Sequence, residues 1–459
     1  MASYYRKKIT KASLFLCYDQ VKLFSPLDYN DCRALCVAKG IAKEPGNGGY
    51  YAEKEGNVSP FRNETMKLTN LSPRQLLEID ACTRCGECLR FCPVYSQREE
   101  EGINPRGKIQ TMKRFIRSQY GLWTRAFSGK KLKEEDLKKF SEMVYRCTLC
   151  GECRVACPVS IDSKSLWLAL REFLAEMGYL PQSADVLKKN ILTEHNILGE
   201  ENARRTEWLQ ALGDLPGHKY QKEKAEVLYF VGCVAPFFPS VHKVAQSFAK
   251  VMDRAQVDFA ILGGEEWCCG FPLLGAGFKE EAKRLIDHNS ERVKETGARM
   301  AVFTCPSCYH TWHEKYKIEI PLFHATEFVL ELIEQGKIEF RDEKVKVTYH
   351  DPCDLGRASG IYEAPRRILR SMPGVEFVEL PDNREHCKCC GGGGNLEMVD
   401  PELAVALAQQ KIKQIQATGA DVVITSCQQC VRTILTTARK RKIPVKVFDI
   451  TEFVLKYMK

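Results

Sequence analysis

From residue 227 to residue 427, short apolar runs alternate with amphipathic stretches. The runs are VLYFVGC (227–233), VDFAILGG (257–264), ARMAVFTC (298–305), VKVTYHDPC (345–353), VEFVELP (375–381) and ADVVITSC (420–427), most of them rich in β-branched residues. Segments of helical period such as VHKVAQSFAKVMDRA lie between them. Apolar runs spaced by helices predict buried parallel strands with crossover helices. Upstream the pattern is helical. LSPRQLLEIDACTRC predicts a short helix with Ser72 as N-cap and Pro73 at the first helical position. EEDLKKFSEMVYRC puts Leu137, Phe140, Met143 and Val144 on one face, and SLWLALREFLAEMGY predicts a further helix.

The second half repeats itself at a period of about 120 residues. Cys233 matches Cys353, Cys268-Cys269 matches Cys389-Cys390, and the pair Cys305 and Cys308 matches Cys427 and Cys430. Gly297-Ala298 corresponds to Gly419-Ala420, and TEFVL recurs unchanged at 326–330 and 451–455. Two copies of one α/β unit are implied, with cysteines carried by loops at strand ends, where such sheets bind ligands. The expected organisation is an α+β multidomain chain. Residues 1–70 form an extension without a regular pattern, containing Cys17, Cys32 and Cys36. Residues 71–198 form a helical unit, 199–224 a polar linker, and 225–338 and 339–459 the two tandem α/β units.

Composition narrows the chemistry. The chain has 459 residues, 44% hydrophobic and 28% charged, which is a globular profile rather than a disordered one. Its 22 cysteines fall in tight clusters with no secretory signal ahead of them, so metal sites are expected rather than a disulfide scaffold. No stretch reaches the roughly 18 uninterrupted apolar residues of a membrane helix. The chain is therefore expected to be cytoplasmic, with any place at the inner face of a membrane reached only through a partner protein. Formal net charge is +9, and a basic run from Arg106 to Lys133 includes Lys108, Lys113, Arg114, Arg117, Arg125, Lys130 and Lys131. That run reads either as a solvated helix face or as a surface for an acidic flavoprotein or ferredoxin. Nothing matches a nucleic-acid-reading motif.

Cys82, Cys85, Cys88 and Cys92-Pro, and again Cys147, Cys150, Cys153 and Cys157-Pro, follow the bacterial ferredoxin spacing. In that arrangement three thiolates wrap one [4Fe-4S] cube and the fourth points at its neighbour. The expected ligand sets are Cys82, Cys85, Cys88 and Cys157 for one cluster, and Cys147, Cys150, Cys153 and Cys92 for the other. Four-cysteine zinc sites also use paired cysteines, but they give no reason for the three-cysteine run followed by Cys-Pro. A cube held by four cysteines has no open iron, so electron relay is the expected role.

Each α/β repeat supplies five cysteines, more than one cube needs. A vicinal pair could form a strained disulfide, but repetition of the whole set argues for metal. Gly270 and the run Gly391 to Gly394 abut the pairs and are expected to let backbone pass close to a bulky cluster, or simply to make a flexible turn. Cys387 reads as a spare ligand, a redox thiol or an unpaired structural cysteine. His350 and His386 flank candidate ligands, and His310 and His313 follow Cys308 at helical spacing. Each reads as a proton donor to a thiolate product or as a hydrogen-bond partner of cluster or backbone.

With these motifs together, residues 71–459 resemble the cysteine-rich CCG-domain proteins, and among them the heterodisulfide reductases of D type, a helical two-cluster ferredoxin module fused to two CCG domains. The resemblance implies that Cys233, Cys268, Cys269, Cys305 and Cys308 hold one noncubane [4Fe-4S] cluster and Cys353, Cys389, Cys390, Cys427 and Cys430 another, the pair cleaving a substrate disulfide. It is also similar to iron–sulfur subunits of glycolate oxidase, lactate-utilisation systems and anaerobic glycerol-3-phosphate dehydrogenase, through Asn104-Pro-Arg-Gly-Lys108 and His350-Asp-Pro-Cys353-Asp-Leu-Gly-Arg357. Those relatives imply the alternative of a non-catalytic relay between a flavoprotein dehydrogenase, or an electron-transferring flavoprotein, and a membrane cytochrome b or quinone.

Overall fold

The computed structural model describes residues 71–120, 133–212 and 217–459. The extension with Cys17, Cys32 and Cys36 lies outside them, as do Arg125, Lys130 and Lys131 of the basic run. The helical unit begins as its cap chemistry predicts. Ser72 Oγ accepts from the Gln75 N–H, Gln75 Oε1 accepts from the Ser72 N–H, and the helix runs Pro73–Ala81. Helices Glu134–Tyr145 and Ser163–Glu176 bury Leu137, Phe140, Val144, Leu166, Trp167 and Leu170 in one core with Ile109 and Met112 of helix Pro105–Tyr120. No described helix is long and apolar enough to cross a membrane.

Two four-stranded parallel sheets follow. The first contains β1 (Val227–Phe230), β2 (Phe259–Ala260), β3 (Met300–Phe303) and β4 (Leu322–His324), in the order β2-β1-β3-β4. The second contains β5 (Val345–His350), β6 (Val375–Glu379), β7 (Val422–Thr425) and β8 (Val447–Asp449), in the order β6-β5-β7-β8. Identical order and all-parallel pairing make the sequence repeat a repeat of fold. β4 and β8 escape the periodicity argument because each has three residues before a helix begins. Only two residues of the run 257–264 pair as a strand.

The repeated TEFVL is explained by packing. In both copies its glutamate closes a capping box, Glu327 accepting from the His324 N–H and Glu452 from the Asp449 N–H. Its phenylalanine and its valine are buried, Phe328 and Val329 in one copy and Phe453 and Val454 in the other. Helix Ile450–Tyr457 packs on helix His242–Arg254 of the first repeat, and helix Ala325–Glu334 packs reciprocally on Glu363–Ser371 of the second. The two sheets consequently share one core, in which Tyr229 and Val302 lie with Val347 and Ile424.

The described residues of the stretch 199–224, expected as a linker, pack on the first sheet. Trp208, Leu212 and Tyr220 are buried in that shared core, and the 3-10 turns Asn202–Leu212 carry Arg205 inward. The basic run is also not one solvated face. Lys108 is 2% exposed, against Trp167, and Lys113 donates to the carbonyls of Asp80 and Cys82.

Arg171 joins the units. Fully buried on helix Ser163–Glu176, it donates to the carbonyls of Gly275 in the first repeat, Gly394 in the second, and Val144, Tyr145 and Cys147 in the helical unit. An Arg171→Leu change strands these acceptors, and at about 1–3 kcal/mol for an unpaired buried polar group a loss of at least about 3 kcal/mol is expected in a denaturant titration. A loss below about 1 kcal/mol would show that water or rearrangement satisfies the carbonyls.

Candidate iron–sulfur sites

The two ferredoxin-type loops share one backbone design. The residue before the second cysteine is left-handed in both, Arg84 at φ 63° and Leu149 at φ 54°, as is the glycine after it, Gly86 at 87° and Gly151 at 76°. Adopting that uncommon region at matching positions turns successive thiols toward one point. A cavity is lined by Cys82, Cys85, Cys88 and Cys157 together, and Cys153 of the other set reaches its wall. In that other set, burial pushes the Cys153 thiol up, and Cys150, Cys147 and Cys92 push it further. The interleaved grouping expected from spacing is therefore the one the chain brings together. Burial also raises Cys88 to about 11 and Cys92 to about 12, with Lys108 opposing the rise at Cys92.

All ten cysteines of the five-member sets lie at the carboxyl ends of strands, where the sheet leaves a crevice. Cys233 and Cys353 follow β1 and β5, Cys305 and Cys427 follow β3 and β7, and the vicinal pairs follow β2 and β6. Cys305 and Cys427 are N-caps of helices Pro306–Lys315 and Gln428–Arg441, with Cys308 and Cys430 in the first turns. Helix N-termini favour thiolates. Cys305 is held below the usual thiol range by the Cys308 thiol, with the Cys308 and Ser307 N–H groups assisting, whereas Cys427, which the Cys430 thiol lowers, is raised overall by burial and by Cys305.

Each set of five converges. In the first, Cys233 and Cys268 are within hydrogen-bonding range, Cys269 is held at about 6 by the Cys268 and Cys308 thiols, and Cys308 reaches Cys305. In the second, Cys389 reaches Cys353 and Cys390, Cys390 donates to Cys430 at 3.2 Å, and Cys430 reaches Cys427. The sets also meet: the Cys305 thiolate acts on Cys427. The second set further abuts the ferredoxin module, because the Cys389 thiol holds Cys150 well below the usual thiol range and Arg357 donates to Cys150 O at 2.7 Å.

Several residues that build these junctions carried no signal in the sequence. Gln428 is buried between Cys427 and Cys430 and crosses to the first set, accepting from the Ala235 N–H at 2.9 Å and donating to Val231 O and Thr304 Oγ1. Reciprocally, Ser307 Oγ donates to Asp354 beside Cys353, and Lys164 pairs with the same carboxylate at 2.9 Å. Arg205 lies 3.9 Å from Cys233 Sγ and pairs with Glu266, which burial raises to about 7. Glu266 accepts from the Val231 and Gly232 N–H groups. Gln428 and Arg205 are separated from what they touch by many residues, so no local pattern marks them.

The glycine run beside the second vicinal pair makes room for neighbouring protein segments. A Cβ on Gly394 would sit 2.3 Å from Cys147 O and one on Gly393 2.7 Å from Thr148 O. They admit the backbone of the second ferredoxin loop. Gly232 does face a thiol: at φ 82°, its Cβ would come 3.1 Å from Cys308 Sγ.

Among the histidines singled out, His350 is fully buried, with Nδ1 3.4 Å from Cys387 Sγ, and lies within 4.8 Å of Cys390 and Cys430. Burial works against its charge, yet Cys387 raises it to about 9. Cys387 is 1% exposed; burial opposes its ionisation, but Lys411, 3.6 Å away, and His350 bring it to about 7. His386 is exposed beside Phe91, His313 packs on Tyr309, and His310 lines a cleft of about 1340 Å³ that reaches Cys150 and Arg357.

These residues fit iron–sulfur clusters. The sets are thiol only, which suits soft iron–sulfur chemistry, and bound iron would ionise thiols that burial otherwise keeps protonated. His350 Nε2 and Arg357 Nη2 are buried beside them with no hydrogen-bond partner among the described residues, as donors serving cluster sulfurs would be.

The comparisons with known proteins agree. The 4Fe-4S dicluster domain family matches residues 78–161, and the cysteine-rich domain family, CCG, matches 227–312 and 347–434. The D-type polypeptide of the dihydromethanophenazine:CoB–CoM heterodisulfide reductase of Methanosarcina mazei is 35% identical over 407 residues, 86% of this chain and 97% of that protein. The EtfAB:quinone oxidoreductase of Syntrophomonas wolfei is 27% identical over 86% of this chain and 61% of its own length. A probable iron–sulfur-binding oxidoreductase of Bacillus subtilis is 27% identical over 84% of this chain and 61% of its own length. The chain thus binds several iron–sulfur clusters. Gly232→Ala, which crowds Cys308 alone, is expected to lower bound iron while ferredoxin-type EPR signals persist. Unchanged iron content would contradict a cluster at the first five-cysteine set.

Proposed function

The chain belongs to the D-type heterodisulfide reductase family of iron–sulfur oxidoreductases, and we propose that it reduces a disulfide at its two five-cysteine sets. One observation carries this reading: both sets are complete, and Gln428, which stands between two cysteines of the second, crosses to Ala235, Val231 and Thr304 beside the first. When bound, the clusters supply one-electron transfers, two of which convert R–S–S–R′ into two thiolates that take up two protons.

The chain's own residues do the rest. Cys82, Cys85, Cys88 and Cys157 hold the outermost set, where Cys85 is exposed, and Cys92, Cys147, Cys150 and Cys153 hold the next. The set from Cys353 to Cys430 follows through Cys389, and the set from Cys233 to Cys308 comes last. Gln428 and the Lys164–Asp354–Ser307 chain fix the separation of the last two. Nine of their ten thiols are buried and Cys353 is partly open, so burial keeps bulk water from most of the site.

A second reading is a relay between a flavoprotein and a membrane cytochrome b or quinone carried by a partner protein, and the likeness to an EtfAB:quinone oxidoreductase favours it. EPR of the oxidised protein treated with a thiol substrate separates the two. A substrate-dependent paramagnetic state, lost in Cys427→Ser, is expected for the reductase. Its absence, with ferredoxin-type signals intact, would leave the relay.

A further inference from the structure

Arg357, four residues after Cys353, stands at the junction of the second ferredoxin-type set and the second five-cysteine set. Its Nε donates to Cys150 O at 2.7 Å, and Nη1 donates to Cys387 O at 2.7 Å and Glu385 O at 3.0 Å. Every acceptor in these bonds is a neutral carbonyl. Nη2 is buried and has no hydrogen-bond partner among the described residues. The carboxylate acting on the guanidinium, Glu152, is itself paired with Lys388 at 2.6 Å. The other groups that act on it are the thiol groups of Cys150, Cys353 and Cys387.

The repeat supplies an internal comparison. Four residues after Cys233 stands Phe237, and the first set takes its guanidinium from elsewhere, Arg205, which lies over that ring at 5.2 Å. Only the copy that touches the Cys150 loop through this position has arginine here. Hydrogen bonds and charge near cluster sulfurs set reduction potential, and a fixed cation stabilises the more negative, reduced state.

We propose that Arg357 is a positioning residue that fixes the Cys150 loop against the Cys353 set and raises the reduction potential of the clusters on both sides of that junction. The inference rests on the reading of the cysteine sets as clusters in relay, but not on a disulfide being the substrate. The step assigned is one-electron reduction by an external reductant, with no bond made or broken by Arg357.

The test is an EPR-monitored redox titration of the full chain with dithionite, without disulfide substrate, for wild type, Arg357→Gln and Arg357→Lys, with iron content measured alongside. Arg357→Gln is expected to make reduction of the Cys92/Cys147/Cys150/Cys153 cluster at least tenfold less favourable, about 59 mV for one electron. Arg357→Lys keeps the charge but not the fork, so a smaller shift in the same direction is expected. The Cys82/Cys85/Cys88/Cys157 cluster is expected not to move. Unchanged potentials at wild-type iron content would overturn the proposal, as would equal shifts in both ferredoxin-type clusters. Should Arg357→Gln lose its iron, Arg357→Lys decides by the same criteria. Wild-type protein lacking iron at the five-cysteine sets would instead strike the relay reading itself.

Discussion

A buried guanidinium without a carboxylate partner is costly unless its donors are filled. Arg171 fills Nη1 and Nη2 with carbonyls drawn from the ferredoxin module and both α/β repeats, leaving only Nε without a partner among the described residues, and these bonds hold three separate cysteine-bearing segments in register. The loops that accept from Arg171 include Cys147 itself and the end of the glycine run beside Cys389-Cys390. A shift of either repeat against the helical unit would break its bond to Arg171. The close approach of Cys150 to Cys389 depends on that rigidity, because an electron route across modules needs a fixed gap more than a strong one.

The two five-cysteine sets are copies in sequence but not in surroundings. The first is bordered by Arg205 and Glu266, and Phe230 stands at the position equivalent to His350. The second is bordered by His350, Cys387 and Lys411, and by Arg357 on its ferredoxin side. Duplication accounts for the shared thiols, strand order and TEFVL caps. Both copies meet the helical module, but through different residues, the first through Gly275, Ala276 and Cys268 and the second through Arg357 and Gly394, and the two sets are electrostatically unequal.

Ligand spacing and period are local properties, and so much of the molecule is legible from the chain alone. The eight ferredoxin-type cysteines, the ten in the repeat, the cap at Ser72 and six of the eight strands all follow from residues close in sequence. The remainder depends on distant partners. Arg205 lies in a stretch polar enough to pass for a linker, Gln428 is an ordinary residue between two cysteines, and Lys108 belongs to a run of charges whose burial only tertiary packing decides. The glycines at 391–394 do mark close approaches, of the Cys147–Thr148 backbone at Gly393 and Gly394 and of Ala404 and Thr433 at Gly391 and Gly392. A glycine says that room is needed and not what fills it.

The central claim is that four thiol sets, two of four and two of five, hold clusters of two kinds in one continuous series. Mössbauer spectroscopy of the full chain grown on iron-57 and purified without oxygen tests it most directly. The account predicts two populations of iron, one ferredoxin-like and one distinct from it, with total iron well above that of two cubes. A single ferredoxin-like population accounting for all the iron would contradict it.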